Sequence, residues 1–199
     1  MSTMRFLLLA LFLSSLVACT EEAPIVPKPR AFPKIEYPER VYQSFDPNFC
    51  RFKFEYPSYA LVEQDTSFFG ESPVDPCWFD LRIPAFDARL HCSYHPVGEN
   101  FEKLRNDAFS LANKHNIKAN YIDELPIEKP NGVRGFVFNI EGPVASPFQF
   151  YLTDVDDQHF LRASLYFNTQ ARPDSLAPVL DFVKTDLMHL INTFEWTGS

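Results

Sequence analysis

Glycine is scarce in this sequence, at only 6 of 199 residues. Phosphate-binding loops depend on glycine, and neither a Walker motif nor a dinucleotide-binding fingerprint is present. Basic residues are also outnumbered, with 18 Lys and Arg against 26 Asp and Glu and a formal net charge of -8. An acidic chain without a basic block is a poor partner for a nucleic-acid backbone. The composition therefore argues against nucleotide-dependent enzymes and against nucleic-acid-binding proteins.

Catalytic sequence signatures are missing as well. The sequence has no Gly-x-Ser-x-Gly elbow and no His-Glu-x-x-His pair. Ser93 and Ser164 are the candidate nucleophiles of a hydrolase, but both fall in predicted strands, where no sharp turn exposes a hydroxyl. We therefore predict a non-enzymatic protein without a cofactor. A Ser, His and Asp within hydrogen-bond reach in one cleft would favour a hydrolase instead.

Two groups of residues in the sequence have the chemistry of metal ligands. His91 and His95 lie four residues apart, which suits shared zinc ligation on a helix, but in a predicted strand that separation is about 13 Å. Asp154, Asp156 and Asp157 have calcium-binding chemistry but lack the closing Glu of an EF-hand loop, so a solvated hairpin tip is the better interpretation. We predict no metal site.

Only one long apolar run occurs, near the N-terminus. It extends from Phe6 to Val17 after a single positive charge at Arg5, and it is shorter than the roughly 20 residues that span a bilayer. The sequence Leu16-Val17-Ala18-Cys19 has the form of a bacterial lipobox. We predict a lipoprotein signal peptide over residues 1–18 and lipidation of Cys19. An ordinary secretory leader with a chance cysteine is the alternative.

Lipid on Cys19 is needed because cleavage removes the hydrophobic anchor. Each buried CH₂ group contributes about 0.8 kcal/mol, and one acyl chain alone gives only marginal membrane binding. A diacylglyceryl group and an acylated amino terminus together supply three chains. The sequence therefore predicts a protein held on a membrane through Cys19.

Residues 19–40 are predicted to form a lipidated, proline-rich tether. Proline is incompatible with a helix interior and favours an extended chain. The prolines of this segment are Pro24, Pro27, Pro29, Pro33 and Pro38. Its second half contains apolar residues such as Tyr37, which suggests that this part lies on the folded domain. Residues 41–199 are enough for a single domain with its own core.

The remaining cysteines are Cys50, Cys77 and Cys92. Pairs of cysteines in exported proteins tend to be oxidised, and an odd number leaves one thiol free. Cys50 and Cys77 each open a predicted strand, so we predict a disulfide between them and a buried, free Cys92. A fully reduced chain is the alternative.

Hydrophobic periodicity predicts strands and helices in a regular order. Strands are predicted over residues 51–56, 59–62, 77–83, 89–94, 119–124, 132–142, 147–153 and 159–167, and helices over 101–112 and 173–194. Strands, a helix, a strand meander and a second helix are typical of the α+β class. We therefore predict a twisted antiparallel sheet covered by two main helices.

Trp78 and Phe79 follow Cys77 directly and form the candidate protein-binding surface. Exposed aromatic residues often anchor protein partners. The alternative, which we favour, is that they pack beside the disulfide in the core.

Several segments resemble a known family. The run Phe52-Lys-Phe-Glu-Tyr-Pro57 and the order of elements are similar to the PsbP/Mog1-like arrangement. More specific segments resemble the gliding motility lipoprotein GldD family of Bacteroidetes: Cys77-Trp-Phe79, Leu90-His-Cys-Ser-Tyr94, Gln149-Phe-Tyr-Leu-Thr-Asp154 and His159-Phe-Leu-Arg-Ala-Ser-Leu-Tyr-Phe167.

This resemblance implies an envelope lipoprotein of the outer membrane that is required for surface gliding, a process tied to type IX secretion. It implies contacts with other motility or secretion proteins and names no reaction. Whether the protein faces the periplasm or the cell surface stays open. A small-molecule binder for lipids or glycans is the alternative function, because helix-covered sheets can enclose an apolar pocket.

Overall fold

The computed structural model describes residues 34–65, 73, 75–169 and 172–197. The predicted signal peptide, Cys19 and the tether up to residue 33 lie outside the described residues. A compact unit begins at Glu36, so residues 36–40 belong to it although the sequence placed them in the tether. Within this unit, the ring centroids of Tyr37 and Phe182 lie 4.6 Å apart.

The elements follow the predicted order of strands, helix, strands and helix. They are β1 (Tyr42–Phe45), β2 (Phe52–Pro57), β3 (Leu61–Gln64), β4 (Phe79–Ile83), β5 (Ala88–Pro96), α1 (Phe101–Asn113), β6 (Tyr121–Glu128), β7 (Arg134–Glu141), β8 (Phe148–Thr153), β9 (His159–Phe167), α2 (Pro173–Thr193) and β10 (Glu195–Trp196). Among the described residues, no helix has both the length and the apolar character needed to cross a bilayer.

The strands form two antiparallel sheets. The large sheet has seven strands in the order β3-β4-β5-β9-β8-β7-β6, and the small sheet has three in the order β1-β2-β10. The predicted α+β class with antiparallel pairing is confirmed, but the prediction of one sheet was wrong. The reason is that β2 pairs with β1 and with the C-terminal β10, so it lies outside the large sheet.

The two faces of the large sheet are covered differently. One face packs against α2 and the small sheet. The fully buried side chains at this contact include Phe52, Phe150, Leu165 and Phe194. This is the main core. The opposite face packs against α1 over β7, β8 and the start of β9, where Ala108 and Ala112 meet aromatic side chains of the sheet. Where α1 passes over β5 and the rest of β9, a cavity remains.

A buried carboxylate connects the N-terminal part of the compact unit to α2. Asp186 is 1% exposed. Its carboxylate accepts hydrogen bonds from Arg40 Nε at 3.0 Å, Tyr42 Oη at 2.7 Å and Tyr59 Oη. The Arg40 guanidinium also lies over the ring of Phe182, 4.2 Å from its centroid. Burial, together with the bond to Asp186, raises the pKa of Tyr42 to about 12. We call these residues (Arg40, Tyr42, Tyr59 and Asp186) the Asp186 cluster.

Candidate functional site

The main candidate site is a cavity of about 550 Å³ between α1 and the second face of the large sheet. Strands β5 and β9 form its floor, and α1 contributes Leu104, Asp107 and Leu111 to its wall. Trp78 and Asp80 line it from the side of β4. The floor carries His91, Ser93, His95, Arg162, Ser164 and Tyr166.

Strand register places the polar side chains of the floor in rows. Asp80 on β4 pairs with His91 on β5, and His91 pairs with Ser164 on β9. Ser93 pairs with Arg162 in the next row on the same face. Side chains of paired residues lie on the same side of a sheet, about 5 Å apart at Cβ. An Asp, a His and a Ser are therefore neighbours in one row.

The Asp80 end of this row is closely bonded. His91 Nδ1 lies 2.5 Å from Asp80 Oδ1, and Arg89 Nη1 donates to Asp80 Oδ2. Burial alone would raise the pKa of Asp80, but the hydrogen bonds from His91 and Arg89 outweigh burial and lower it. Asp80 is therefore an ionised carboxylate whose charge is already balanced, and it fixes which nitrogen of His91 faces it.

The Ser164 end of the row is not bonded. Ser164 is 4% exposed, and its Oγ is buried without a hydrogen-bond partner in the described part of the chain. No hydrogen bond therefore joins Ser164 to His91. The structure brings the residues of the hydrolase hypothesis into one row but connects only Asp80 and His91.

Arg162 is the second incompletely satisfied group of the floor. Its Nη2 donates to Gln149 Oε1 at 3.2 Å. Within the described part of the chain, no carboxylate oxygen lies within 4.0 Å of its guanidinium nitrogens. Burial lowers the pKa of Arg162 from its ordinary value. The cavity therefore contains a partly buried cation that is partnered by a neutral amide.

The two predicted aromatic anchors occupy different environments. Phe79 is 3% exposed and lies 4.9 Å from the ring of Phe45 in the main core. It is therefore a core residue, as the favoured interpretation expects, and it is not available as an exposed partner anchor, because strand alternation turns it inward. Trp78 is partly exposed, donates its indole N–H to Tyr94 O at 2.7 Å and lines the cavity.

The three described cysteines are buried in the main core, and Cys92 also borders the cavity. Cys50 and Cys77 are joined by a disulfide, with their Cα atoms 5.5 Å apart. Cys92 is a buried free thiol, and burial raises its pKa well above the usual value. Its thiol is therefore in the protonated, unreactive form.

The acidic hairpin between β8 and β9 uses its carboxylates internally. Asp154 Oδ1 accepts hydrogen bonds from the backbone N–H groups of Gln158 and His159 at 2.7 and 3.0 Å. Asp157 Oδ1 lies 3.0 Å from Arg134 Nη2. In the ranges that the structure describes, no group of His, Cys, Asp and Glu side chains is arranged to hold a metal ion.

Comparison with known proteins identifies the family. A family model for "Gliding motility lipoprotein GldD" matches residues 22–196. The chain belongs to this family. The curated proteins compared with this chain include no match. Among solved structures, the solution structure of cyanobacterial PsbP (CyanoP) from Synechocystis sp. PCC 6803 has a TM-score of 0.47 at 11% identity, covering 80% of this chain and 94% of that chain.

Membership of the GldD family confirms the resemblance read from the sequence and gives the protein its general role. It is a membrane-anchored envelope lipoprotein of gliding motility. Sequence reasoning missed Arg162 as a site residue and considered Ser164 only as a nucleophile. A signal was present, because Arg162 and Ser164 interrupt the apolar strand His159–Phe167 at alternate positions.

Proposed function

We propose that this member of the GldD family is a non-enzymatic contact or assembly component of the gliding apparatus. In this proposal, lipid on Cys19 holds it at the outer membrane, and its domain contacts motility or type IX secretion proteins. The family match over residues 22–196 carries the proposal, because it extends over nearly the whole folded chain. The absence of a hydrogen bond between the described residues His91 and Ser164 also favours a non-enzymatic role.

The Asp186 cluster suggests how an anchor would act on the domain. Arg40 and Tyr42 lie near the start of the compact unit, at the C-terminal end of the predicted tether, and both bond to Asp186 on α2. A force transmitted through the tether would therefore reach a packed helix.

Replacing the lipidated cysteine tests this function directly. We expect Cys19→Ala to move the protein from the membrane fraction to the soluble fraction of broken cells and to abolish spreading on agar. Cys92→Ala is the matched control, since it removes a buried thiol and leaves the lipobox intact. Normal spreading by cells whose Cys19→Ala protein is soluble would contradict the proposal.

Crosslinking in living cells tests the contact role. A photoreactive residue in place of the exposed Ile117, which is 90% exposed, should capture envelope proteins of the motility or secretion apparatus. The same label at the buried Val133 should not. Capture patterns that do not differ between the two positions would argue against a partner on this surface.

A further inference from the structure

We propose that the cavity beneath α1 is a binding site for a small organic anion, whose carboxylate or phosphate group is held by Arg162 and Ser164. This ligand-binding role goes beyond anchoring and partner contact and depends on neither. In this arrangement the anionic group faces β9, and the rest of the ligand lies along α1.

The first argument is the charge of Arg162. A guanidinium has five N–H donors and no acceptor. The structure gives Arg162 one side-chain acceptor, Gln149 Oε1, and no carboxylate within 4.0 Å among the described residues. Removing a cation from water is costly unless an anion balances it. A bound carboxylate or phosphate would supply that charge and accept the remaining N–H groups in the paired geometry that Arg favours.

The second argument is independent of charge. The hydroxyl of Ser164 is buried in the cavity floor and has no hydrogen-bond partner. Nearly all buried polar groups in proteins are hydrogen-bonded, so an unpaired one points to a missing partner. Ser164 and Arg162 lie two residues apart on one face of β9, about 7 Å apart at Cα. The long Arg side chain and the short Ser side chain can therefore both reach one anionic group.

The size and the lining of the cavity indicate an organic ligand. Its volume of about 550 Å³ far exceeds that of an inorganic ion and falls within the range of about 300 to 1,000 Å³ that is typical of small-molecule pockets. Leu104 and Leu111 line it from α1, and Trp78 and Tyr166 add aromatic rings. A partly apolar or ring-containing body would contact these side chains.

The lining contains three carboxylates, those of Asp65, Asp80 and Asp107, and the last two act on the anion in different ways. The charge of Asp80 is balanced by Arg89, and His91 lies within hydrogen-bond distance of the same carboxylate. Asp107 on α1 lines the opposite wall, and its charge favours the protonated form of Arg162 from beyond ion-pair distance. Asp107 therefore competes weakly with a bound anion, and its removal should strengthen anion binding.

Isothermal titration calorimetry on the full chain in detergent micelles tests the site. The probes are benzoate and phenyl phosphate as soluble anions, dihexanoyl phosphatidic acid as a lipid phosphate, and benzyl alcohol as the neutral control. We expect at least one anionic probe to bind more tightly than benzyl alcohol. Tighter binding of phosphatidic acid would identify a lipid headgroup as the source of the anion, and tighter binding of the other anions would identify a soluble metabolite.

Variants locate the binding. Arg162→Met should weaken binding of the anionic probes by about tenfold or more, and Ser164→Ala by about threefold, as expected for losing a charged and a neutral hydrogen bond. Asp107→Asn should strengthen it. Arg105→Met is the matched control, because Arg105 pairs with Glu102 on α1 and does not line this cavity.

Two results would overturn the proposal. One is that no anionic probe binds more tightly than benzyl alcohol. The other is that Arg162→Met weakens anion binding no more than Arg105→Met does. Circular dichroism of each variant establishes that it is folded. If Arg162→Met does not fold, Ser164→Ala and Asp107→Asn keep the test decisive, because they remove little volume.

Discussion

The Asp186 cluster buries a charged side chain and the cavity beneath α1 partly buries one, but the two regions satisfy the charge differently. The Asp186 carboxylate accepts hydrogen bonds from Arg40, Tyr42 and Tyr59, two of which measure 2.7 and 3.0 Å. Among the described residues, the Arg162 guanidinium has one amide partner and the hydroxyl of Ser164 beside it has none. The cluster is complete without a ligand, whereas the cavity is not.

This difference separates stability from function. A buried charge with all its hydrogen bonds satisfied holds two elements together, and breaking it leaves unpaired partners. A buried charge without a counter-ion reduces stability, and proteins retain such groups mainly at functional sites. Substitutions in the two regions should therefore change the free energy of unfolding by different amounts.

The largest effect on the free energy of unfolding is expected at the Asp186 cluster. Asp186→Ala should lower the free energy of unfolding by about 4 kcal/mol, because it removes a buried carboxylate and leaves Arg40 Nε and two tyrosine hydroxyls without their acceptor. Urea denaturation followed by tryptophan fluorescence measures this change. Asp181→Ala, an exposed position on the same helix, should change stability by less than about 0.5 kcal/mol.

Similar losses for the two Asp variants would mean that the Asp186 cluster does not hold the N-terminal part of the unit on α2. Substitution of Tyr42 alone supplies a second measurement. Tyr42→Phe removes one of the three hydrogen bonds to Asp186 and should cost about 1 kcal/mol.

The disulfide between Cys50 and Cys77 also stabilises the main core. It closes a segment with a sequence separation of 27 residues between Cys50 and Cys77. Restriction of the unfolded chain by a loop of that length is worth about 3 kcal/mol. The double variant Cys50→Ser and Cys77→Ser should lose about that amount in urea denaturation.

Thiol labelling of the denatured chain gives an independent check on the disulfide. Under the proposed lipidation of Cys19, which would occupy its thiol, a non-reducing sample should show one reactive thiol, that of Cys92, and a reduced sample should show three. Three reactive thiols without reductant would indicate the fully reduced chain.

Much of the fold was predictable from local pattern. The alternation in His159–Phe167 gave β9 with its observed bounds, and the apolar stripe after Pro173 gave α2 to within one residue. Such patterns reflect burial on one face, which the sequence records directly. The sequence did not separate Phe79 from Trp78, because adjacent strand residues face opposite ways and alternation alone does not say which face is the core.

Other features depend on distant pairing and could not be read from the sequence. Strand β1 is short. The sequence pattern placed its partner β2 in the main sheet, because the local sequence of a strand does not show which strand it pairs with. The cavity depends on the register between β5 and β9, which places Arg162 beside Ser93 and Ser164 beside His91. Arg40 and Asp186 are 146 residues apart in the chain, and no periodicity links them.

A smaller effect is expected at the cavity. Arg162→Met retains much of the side chain's length and removes a cation that has no counter-ion among the described residues, so we expect the free energy of unfolding to rise or to fall by no more than about 1 kcal/mol. Thermal unfolding without ligand measures this. A loss comparable to that of Asp186→Ala would mean that Arg162 is structural, and the contrast between the two regions would fail.

The smallest effect concerns protons at the same cavity. Burial lowers the pKa of His95 below its ordinary value of 6.5, so between these two pKa values the unfolded chain binds more protons than the folded chain. Stability should therefore fall as the pH drops below about 6.5, and His95→Gln should reduce that slope between about pH 7 and about pH 5. Burial also lowers the pKa values of His115 and His159, so part of the slope should persist in the variant. Urea denaturation of both proteins at several pH values measures this slope. If His95 were as well hydrated in the cavity as in the unfolded chain, the slope of stability against pH would be the same with and without His95→Gln.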